Sequence, residues 1–124
     1  MSGATRVERM QDVLRSIRAA SADIVGSAIL TSDGFVVASM LPSEVDEELI
    51  SGMAATLLGV GERISAEMMG SDLEQTYVRA KAGYVIVNQI TADEVLIILT
   101  TRQAKLGLVF MEVRKRVAEL AKLM

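Results

Sequence analysis

The segment of residues 44–69 constrains the fold most, because it reads as a helix that is apolar around most of its circumference. Residues three or four apart share one side of a helix, so the segment divides into columns. A helix that covers one face of a sheet needs a single apolar stripe, so this arc is too wide for one subunit. Two columns are large and apolar, and the third carries almost no side chain: Leu49, Met53, Leu57, Ile64 and Met68; Ile50, Ala54, Leu58 and Gly61; Gly52, Ala55 and Gly59.

The glycines of the third column admit two interpretations. Each glycine inside a helix costs about 1 kcal/mol relative to alanine, so a close approach of another backbone is expected in return. Gly52 and Gly59 either let the helix lie close to its own sheet, or they let it pack against the same helix of a second copy. The width of the apolar arc favours the second interpretation. It predicts a homodimer interface that includes Leu49, Gly52, Met53, Ala55 and Gly59.

The first half of the chain predicts a helix followed by a hairpin. Thr5-Arg6-Val7-Glu8 matches a capping box, and apolar residues at helical spacing follow it, which predicts a helix over 5–20. The segments 24–31 and 35–40 are rich in valine, isoleucine and alanine, and Ser32-Asp33-Gly34 between them is typical of a hairpin turn. After this hairpin, Ser43 is the expected cap of the helix over 44–69, and Gly70 is its expected stop.

The second half predicts three strands and a final helix. The strands are expected over 73–80, 84–90 and 94–100, and the helix begins near residue 103 with a buried stripe: Leu106, Val109, Phe110, Val113, Val117 and Leu120. The order is α-β-β-α-β-β-β-α. It predicts an α+β two-sided sandwich, in which a five-stranded, mostly antiparallel sheet has helices on both faces. We expect a single domain over residues 5–122.

Composition removes most of the parts that an enzyme needs. The 124 residues include neither cysteine nor histidine, so thiol catalysis, the commonest general base and the usual zinc ligands are absent from the sequence. Gly59-Val60-Gly61 is a lone G-x-G inside a helix, which is a weak signal for a nucleotide site. Asp33 is a candidate catalytic carboxylate, but it lies in a turn that favours aspartate for backbone reasons. We therefore predict no catalytic, cofactor-binding or metal-binding residues, and a protein that is not an enzyme.

Charge and hydropathy limit the classes of partner that we expect for this chain. A net charge of −3 and an aromatic content of 3% argue against a nucleic-acid binder, and no apolar run reaches the roughly 18 residues of a membrane span. The lack of cysteine and of an apolar signal core leads us to expect a cytoplasmic location. Glu62, Arg63 and Glu67, together with Ser65, are polar residues in the C-terminal half of the apolar helix, and they form either a solvated side or a docking surface for a partner protein.

The order of elements, together with four segments, resembles the Roadblock/LC7 family over about residues 6–120. The segments are AILTSDGFVVAS, YVRAKAGYVIVNQI, VLIILT and KLGLVFMEVRK, and prokaryotic members such as MglB are the most similar in length. The resemblance implies one long helix on one face of the sheet and two on the other, in outline as in profilin. It also implies dimers that pair the long helix and the third strand across a twofold axis, which adds Thr76, Tyr77 and Val78 to the predicted interface.

The resemblance further implies a regulator or scaffold. MglB-like members bind a small Ras-like GTPase and stimulate its hydrolysis without supplying a catalytic arginine, and the family offers no catalytic residues to carry over. The leading hypothesis is a homodimeric module that binds such a GTPase. Two alternatives stay open: an adaptor similar to dynein light chains without a GTPase partner, and a profilin-like or PAS-like sensor with a small-molecule pocket.

Overall fold

A computed structural model describes residues 5–124, which form three helices and one five-stranded sheet. The spatial order of the strands is β2-β1-β5-β4-β3, and every neighbouring pair is antiparallel. The order of elements agrees with the one predicted from the sequence. The elements are α1 (Arg6–Ala20), β1 (Ile24–Thr31), β2 (Val36–Met40), α2 (Glu47–Ile64) continued by a π-helical turn (Ser65–Met69), β3 (Gln75–Ala80), β4 (Gly83–Gln89), β5 (Glu94–Thr100) and α3 (Leu106–Ala121).

Each face of the sheet is covered by a separate apolar cluster. Helices α1 and α3 pack on one face, where Leu14, Ile98 and Val113 belong to the larger cluster. Helix α2 packs on the other face, where Leu58 and Ile97 belong to a smaller cluster. The predicted two-sided sandwich is confirmed, with one long helix on one face and two on the other.

Helix α1 begins at the predicted capping box. The Thr5 hydroxyl accepts a hydrogen bond from the Glu8 amide at 3.1 Å, and the Glu8 carboxylate accepts one from the Thr5 amide at 3.2 Å. These bonds satisfy two amides that have no partner inside the helix. The buried stripe of α1 starts one turn later, at Met10, whereas Val7 is exposed.

Helix α2 begins later than the sequence predicted. Asp46, not Ser43, is its cap, since the Asp46 carboxylate accepts a hydrogen bond from the Leu49 amide at 3.1 Å. The chain before it makes a turn in which the Val45 amide donates to the Pro42 carbonyl at 3.0 Å. The proline fixes its own φ and favours that turn, which moves the start of the helix beyond Ser43.

The predicted stop at Gly70 is confirmed. Gly70 has a φ of 62°, in the left-handed region that glycine adopts without strain. Two other boundaries shift inward: β3 begins at Gln75 instead of 73, and α3 begins at Leu106 instead of near 103.

The turn between β1 and β2 lies close to α2. Thr31 makes the turn bonds, because its amide and its hydroxyl both bond the backbone of Phe35, at 2.8 and 3.1 Å. Gly34 has a φ of 93°, and a Cβ added there would lie 3.2 Å from the Ser51 carbonyl oxygen and 3.3 Å from the Ala55 Cβ. The corner therefore needs glycine for its conformation and for the close approach of α2.

We expect the substitution Gly34→Ala to lower the free energy of unfolding by about 1–2 kcal/mol, because an L-residue is strained at that φ. Gly107→Ala is the matched control, since a Cβ at this helical position meets nothing within 4 Å in the described chain. That control should raise the free energy of unfolding by about 0.5–1 kcal/mol. Urea unfolding followed by circular dichroism measures both, and equal effects would contradict the account.

Candidate functional site

The corner of the β1–β2 hairpin is a hydrogen-bonded turn. Asp33 lies exposed in the turn, and the atoms that close the turn belong to Thr31, Gly34 and Phe35. Within residues 5–124, no group of three or more aspartates or glutamates is arranged to hold a metal ion. No helix in this range is long and apolar enough to cross a membrane.

Four grooves of 380 to 450 Å3 open on the surface of the described residues. Their linings come from loops, helix ends and the outer sides of the elements. The space between the sheet and α2 is filled instead by apolar side chains such as Leu30, Leu58 and Ile97. The larger grooves therefore give no support to the hypothesis of a small-molecule sensor.

Helix α2 rests on the sheet by a narrow inner side. Ala54 and Leu58 are buried there, and so is Ser51, whose hydroxyl donates to the Glu47 carbonyl at 2.6 Å. A Cβ at Gly61 would lie 3.0 Å from the Leu73 side chain, so this glycine allows the segment before β3 to pack on α2. The inner side is thus the predicted second column, extended by one serine.

The opposite side of α2 is apolar and exposed, and we call it the outer face of α2. Its large side chains are between 50% and 77% exposed: Leu49, Met53, Val60, Ile64 and Met68. Val60 was absent from the predicted columns, although its position seven residues after Met53 places it on the same side. Single exposed apolar residues are common on protein surfaces, but several large ones on the same side of one helix are typical of an interaction site.

Two glycines lie on the same outward side. A Cβ at Gly52 or at Gly59 would meet nothing within 4 Å among the described residues. Thr56 lies between them and donates its hydroxyl to the Gly52 carbonyl at 2.9 Å, so its polar group is satisfied within the helix. The interpretation that these glycines let α2 lie close to its own sheet is wrong. Ala55 differs from them, because it is half-buried beside Gly34.

Strand β3 forms one edge of the sheet and carries the remaining predicted interface residues. Val78 pairs with Val85, which packs in the cluster under α2, so Val78 and its neighbour-but-one Thr76 lie on the α2 side. Tyr77 lies on the other side, where its ring is 5.6 Å from that of Phe110 and 6.2 Å from that of Tyr84. The structure therefore brings Thr76 and Val78 to the side of α2, but not the Tyr77 side chain.

The predicted partner-binding residues lie at the C-terminal end of α2. Arg63 and Glu67 form an ion pair at 3.2 Å between Arg63 Nη2 and Glu67 Oε1, and their side chains are 80% and 69% exposed. Such an exposed pair contributes little to stability. Glu62 lines a groove of about 440 Å3 together with residues of the chain before β3 and of the β4–β5 turn. All three residues are accessible to a partner.

Charge is distributed unevenly along the chain after the first hairpin. Residues 43–74, which contain α2, hold eight aspartates and glutamates and one arginine. Residues 75–124, which contain α3, hold eight lysines and arginines and four acidic residues. A protein with a small net negative charge therefore presents a strongly acidic α2 segment and a basic α3 segment.

Comparison with known proteins agrees with this geometry. The family model for the Roadblock/LC7 domain matches residues 10–100. An uncharacterised protein of Methanocaldococcus jannaschii is 39% identical over 102 residues, which are 82% of this chain and 87% of that protein.

Solved structures show the same fold. MglB of Myxococcus xanthus superposes with a TM-score of 0.87 at 14% identity, covering 99% of this chain and 92% of that one. Profilin IA of Acanthamoeba castellanii superposes with a TM-score of 0.66 at 18% identity, covering 90% and 96%. At these identities the structural likeness concerns the fold, whereas the family model and the archaeal relative concern descent. The chain belongs to the Roadblock/LC7 domain family.

Proposed function

We propose that two copies of this chain pair through the outer face of α2 and the edge of β3, and that the dimer binds a small Ras-like GTPase as a non-catalytic regulator or scaffold. The observation that carries the proposal is the outer face of α2, where large apolar side chains flank two open glycines. Membership of the Roadblock/LC7 family and the fold of MglB support the GTPase as the partner class.

The energetics favour pairing of both elements. Burying the exposed half of an apolar side chain contributes about 1 kcal/mol, so five such side chains from each of two copies contribute about 10 kcal/mol. Association of two proteins costs about 4–15 kcal/mol in lost freedom. The helices alone thus come close to balance, and the unpaired backbone edge of β3 supplies the further hydrogen bonds that a stable dimer needs.

The two open glycines favour a close crossing of the two α2 helices. Open backbone at Gly52 and Gly59 lets two helix axes approach closely, which side chains would prevent. A twofold axis repeats each such contact twice.

The role in a GTPase complex is that of a binding surface. The sequence has neither cysteine nor histidine, and residues 5–124 hold no carboxylate cluster for a metal ion, which supports a role in which the GTPase itself supplies the groups that hydrolyse GTP. The resemblance to MglB-like members implies such a division of work. Glu62, Arg63 and Glu67 are exposed at the C-terminal end of α2, and we assign them to the surface that the GTPase contacts.

The substitutions Gly52→Leu and Gly59→Leu test the dimer. Each adds a side chain that meets nothing within 4 Å in the described subunit, so we expect the folded monomer to be retained and its helix to gain about 0.8 kcal/mol. Between two helices the same side chain holds the axes apart, and we expect dimerisation to weaken about 100-fold. Sedimentation velocity measures the dissociation constant. Gly107→Leu is the control, and a dimer as tight in the Gly52 and Gly59 variants as in this control would contradict the proposed interface.

Calorimetry with a Ras-like GTPase of the same organism, loaded with GTP or with GDP, tests the partner. We expect binding that differs between the two nucleotide states. Combined replacement of Glu62, Arg63 and Glu67 by alanine should weaken it about tenfold while the melting temperature changes by less than about 3 °C. Arg9→Ala on the exposed side of α1 is the control. A dimer that binds the GTPase in neither state would leave the adaptor without a GTPase partner as the function.

A further inference from the structure

One of the four surface grooves lies on the face of the sheet that α2 does not cover. Its volume is about 420 Å3, and it is bounded by the end of α1, the start of β1 and the first half of α3. The floor contains Ile24 and Val109, which are 1% and 4% exposed. The rim carries Leu108 and Met111, which are 61% and 65% exposed although both are large and apolar. The groove is therefore a concave apolar surface that the described chain leaves open.

The acidic side chains of this groove are already engaged within the chain. The Asp23 carboxylate accepts a hydrogen bond from the Thr101 hydroxyl at 2.8 Å. The Glu112 carboxylate pairs with Arg116, with 2.7 Å between Arg116 Nε and Glu112 Oε2, and this bond raises the pKa of Arg116 further above its usual value. Arg116 also pairs with Glu119 at 2.9 Å. The charge of Glu112 is thus compensated by Arg116, whereas the hydroxyl that bonds Asp23 is neutral and leaves the charge of that carboxylate in place.

The basic side chains of the groove have no such partners. Lys105, directly before α3, and Lys115, in the middle of α3, both line it, and neither forms an ion pair within residues 5–124. Lys105 is also the N-cap position of α3, where no side chain accepts from the first helical amides and no acidic residue occupies the first turn. The positive end of the helix dipole therefore adds to the charge of the two lysines.

We propose that this groove binds a segment of a partner protein in which one or two large apolar side chains are flanked by aspartate or glutamate. The apolar side chains would enter between Leu108 and Met111, and the carboxylates would meet Lys105, Lys115 and the start of α3. This complementarity of charge around an apolar centre is the usual arrangement of a specific protein interface. Because α2 and the groove lie on opposite faces of the sheet, the α2-paired dimer would present two such grooves in addition to its GTPase surface.

The shape of the site favours a protein segment over a lipid surface. A bilayer is flat on this scale, and it would contact the exposed rim but leave the concave floor at Ile24 and Val109 unfilled. A side chain of a partner fills such a depression and removes the floor and rim from water together. The proposal concerns a different surface from the GTPase hypothesis and does not depend on it.

Selection from a random library of short linear peptides tests the proposal. The full-length protein is the bait, and a double variant with Leu108→Ser and Met111→Ser is used to remove peptides that bind elsewhere. We expect the remaining peptides to combine a large apolar residue with an excess of Asp and Glu. A synthetic copy of the strongest peptide is then titrated by calorimetry. Binding should weaken at least about tenfold in the serine variant and in a second variant with Lys105→Glu and Lys115→Glu.

Two variants serve as controls on the same protein. Val7→Ser replaces an apolar side chain of similar exposure on α1, and Lys122→Glu reverses a lysine beyond the end of α3. Neither should change the affinity for the peptide. Because Leu108 and Met111 are largely exposed, the melting temperature should stay close to that of the wild type, which separates lost binding from lost folding.

Four outcomes would overturn the proposal. The first is a selection that yields no peptide above background, and the second is a set of peptides without acidic residues or with equal affinity for the serine variant. The third is binding of phosphatidylserine vesicles, lost in the lysine variant, in place of peptide binding. The fourth is a change of sedimentation mass in the serine variant without peptide binding, which would assign the groove to contacts between copies of this chain.

Discussion

The burial of the central strands on both faces is the constraint on which the rest of this structure depends. Strands β1 and β5 lie side by side, and neighbouring residues such as Leu96 and Ile97 point to opposite faces yet are both fully buried. A sheet of this kind is stable only if each face is covered. The three helices divide two to one, so α1 and α3 shield one face together whereas α2 shields the other alone.

A single helix on one face explains the character of the candidate interface. Helix α2 uses only a narrow side for the sheet, at Ala54 and Leu58, and no second helix lies next to it on that face in the described chain. Its apolar side chains outside this contact are therefore left to solvent, together with the open backbone at Gly52 and Gly59. Strand β3 is the last strand of the sheet, so one of its backbone edges has no neighbouring strand.

The face of the sheet under α1 and α3 differs from the face under α2. Two helices cover it, and a groove between the end of α1, the start of β1 and the first half of α3 is lined by buried and exposed apolar residues. Its Glu112 is paired with Arg116, whereas its two lysines, Lys105 and Lys115, form no ion pair within residues 5–124. The two faces thus differ in shape, since one carries an exposed apolar helix side and the other an apolar groove.

Much of the site was predictable in kind but not in detail. The breadth of the apolar arc in residues 44–69 indicated an outward apolar side, and the columns at Leu49 and Met53 fall on it. Val60 was missed because it was counted in no column, and Tyr77 was assigned to an interface strand without regard to side-chain alternation. The groove at Leu108 could not be found from the sequence, because it depends on where α1 ends relative to α3.

The sequence by itself determined the order of elements, the capping box at Thr5 and the turn at Gly34, because each depends on residues within a few positions of one another. Only the tertiary structure decided which column of α2 faces the sheet, that Gly52 and Gly59 face outward, and that the strands adopt the order β2-β1-β5-β4-β3. The physical reason is that these choices follow from the sum of many contacts between distant segments, in which small and large side chains compete for the same space, and no local pattern records that sum.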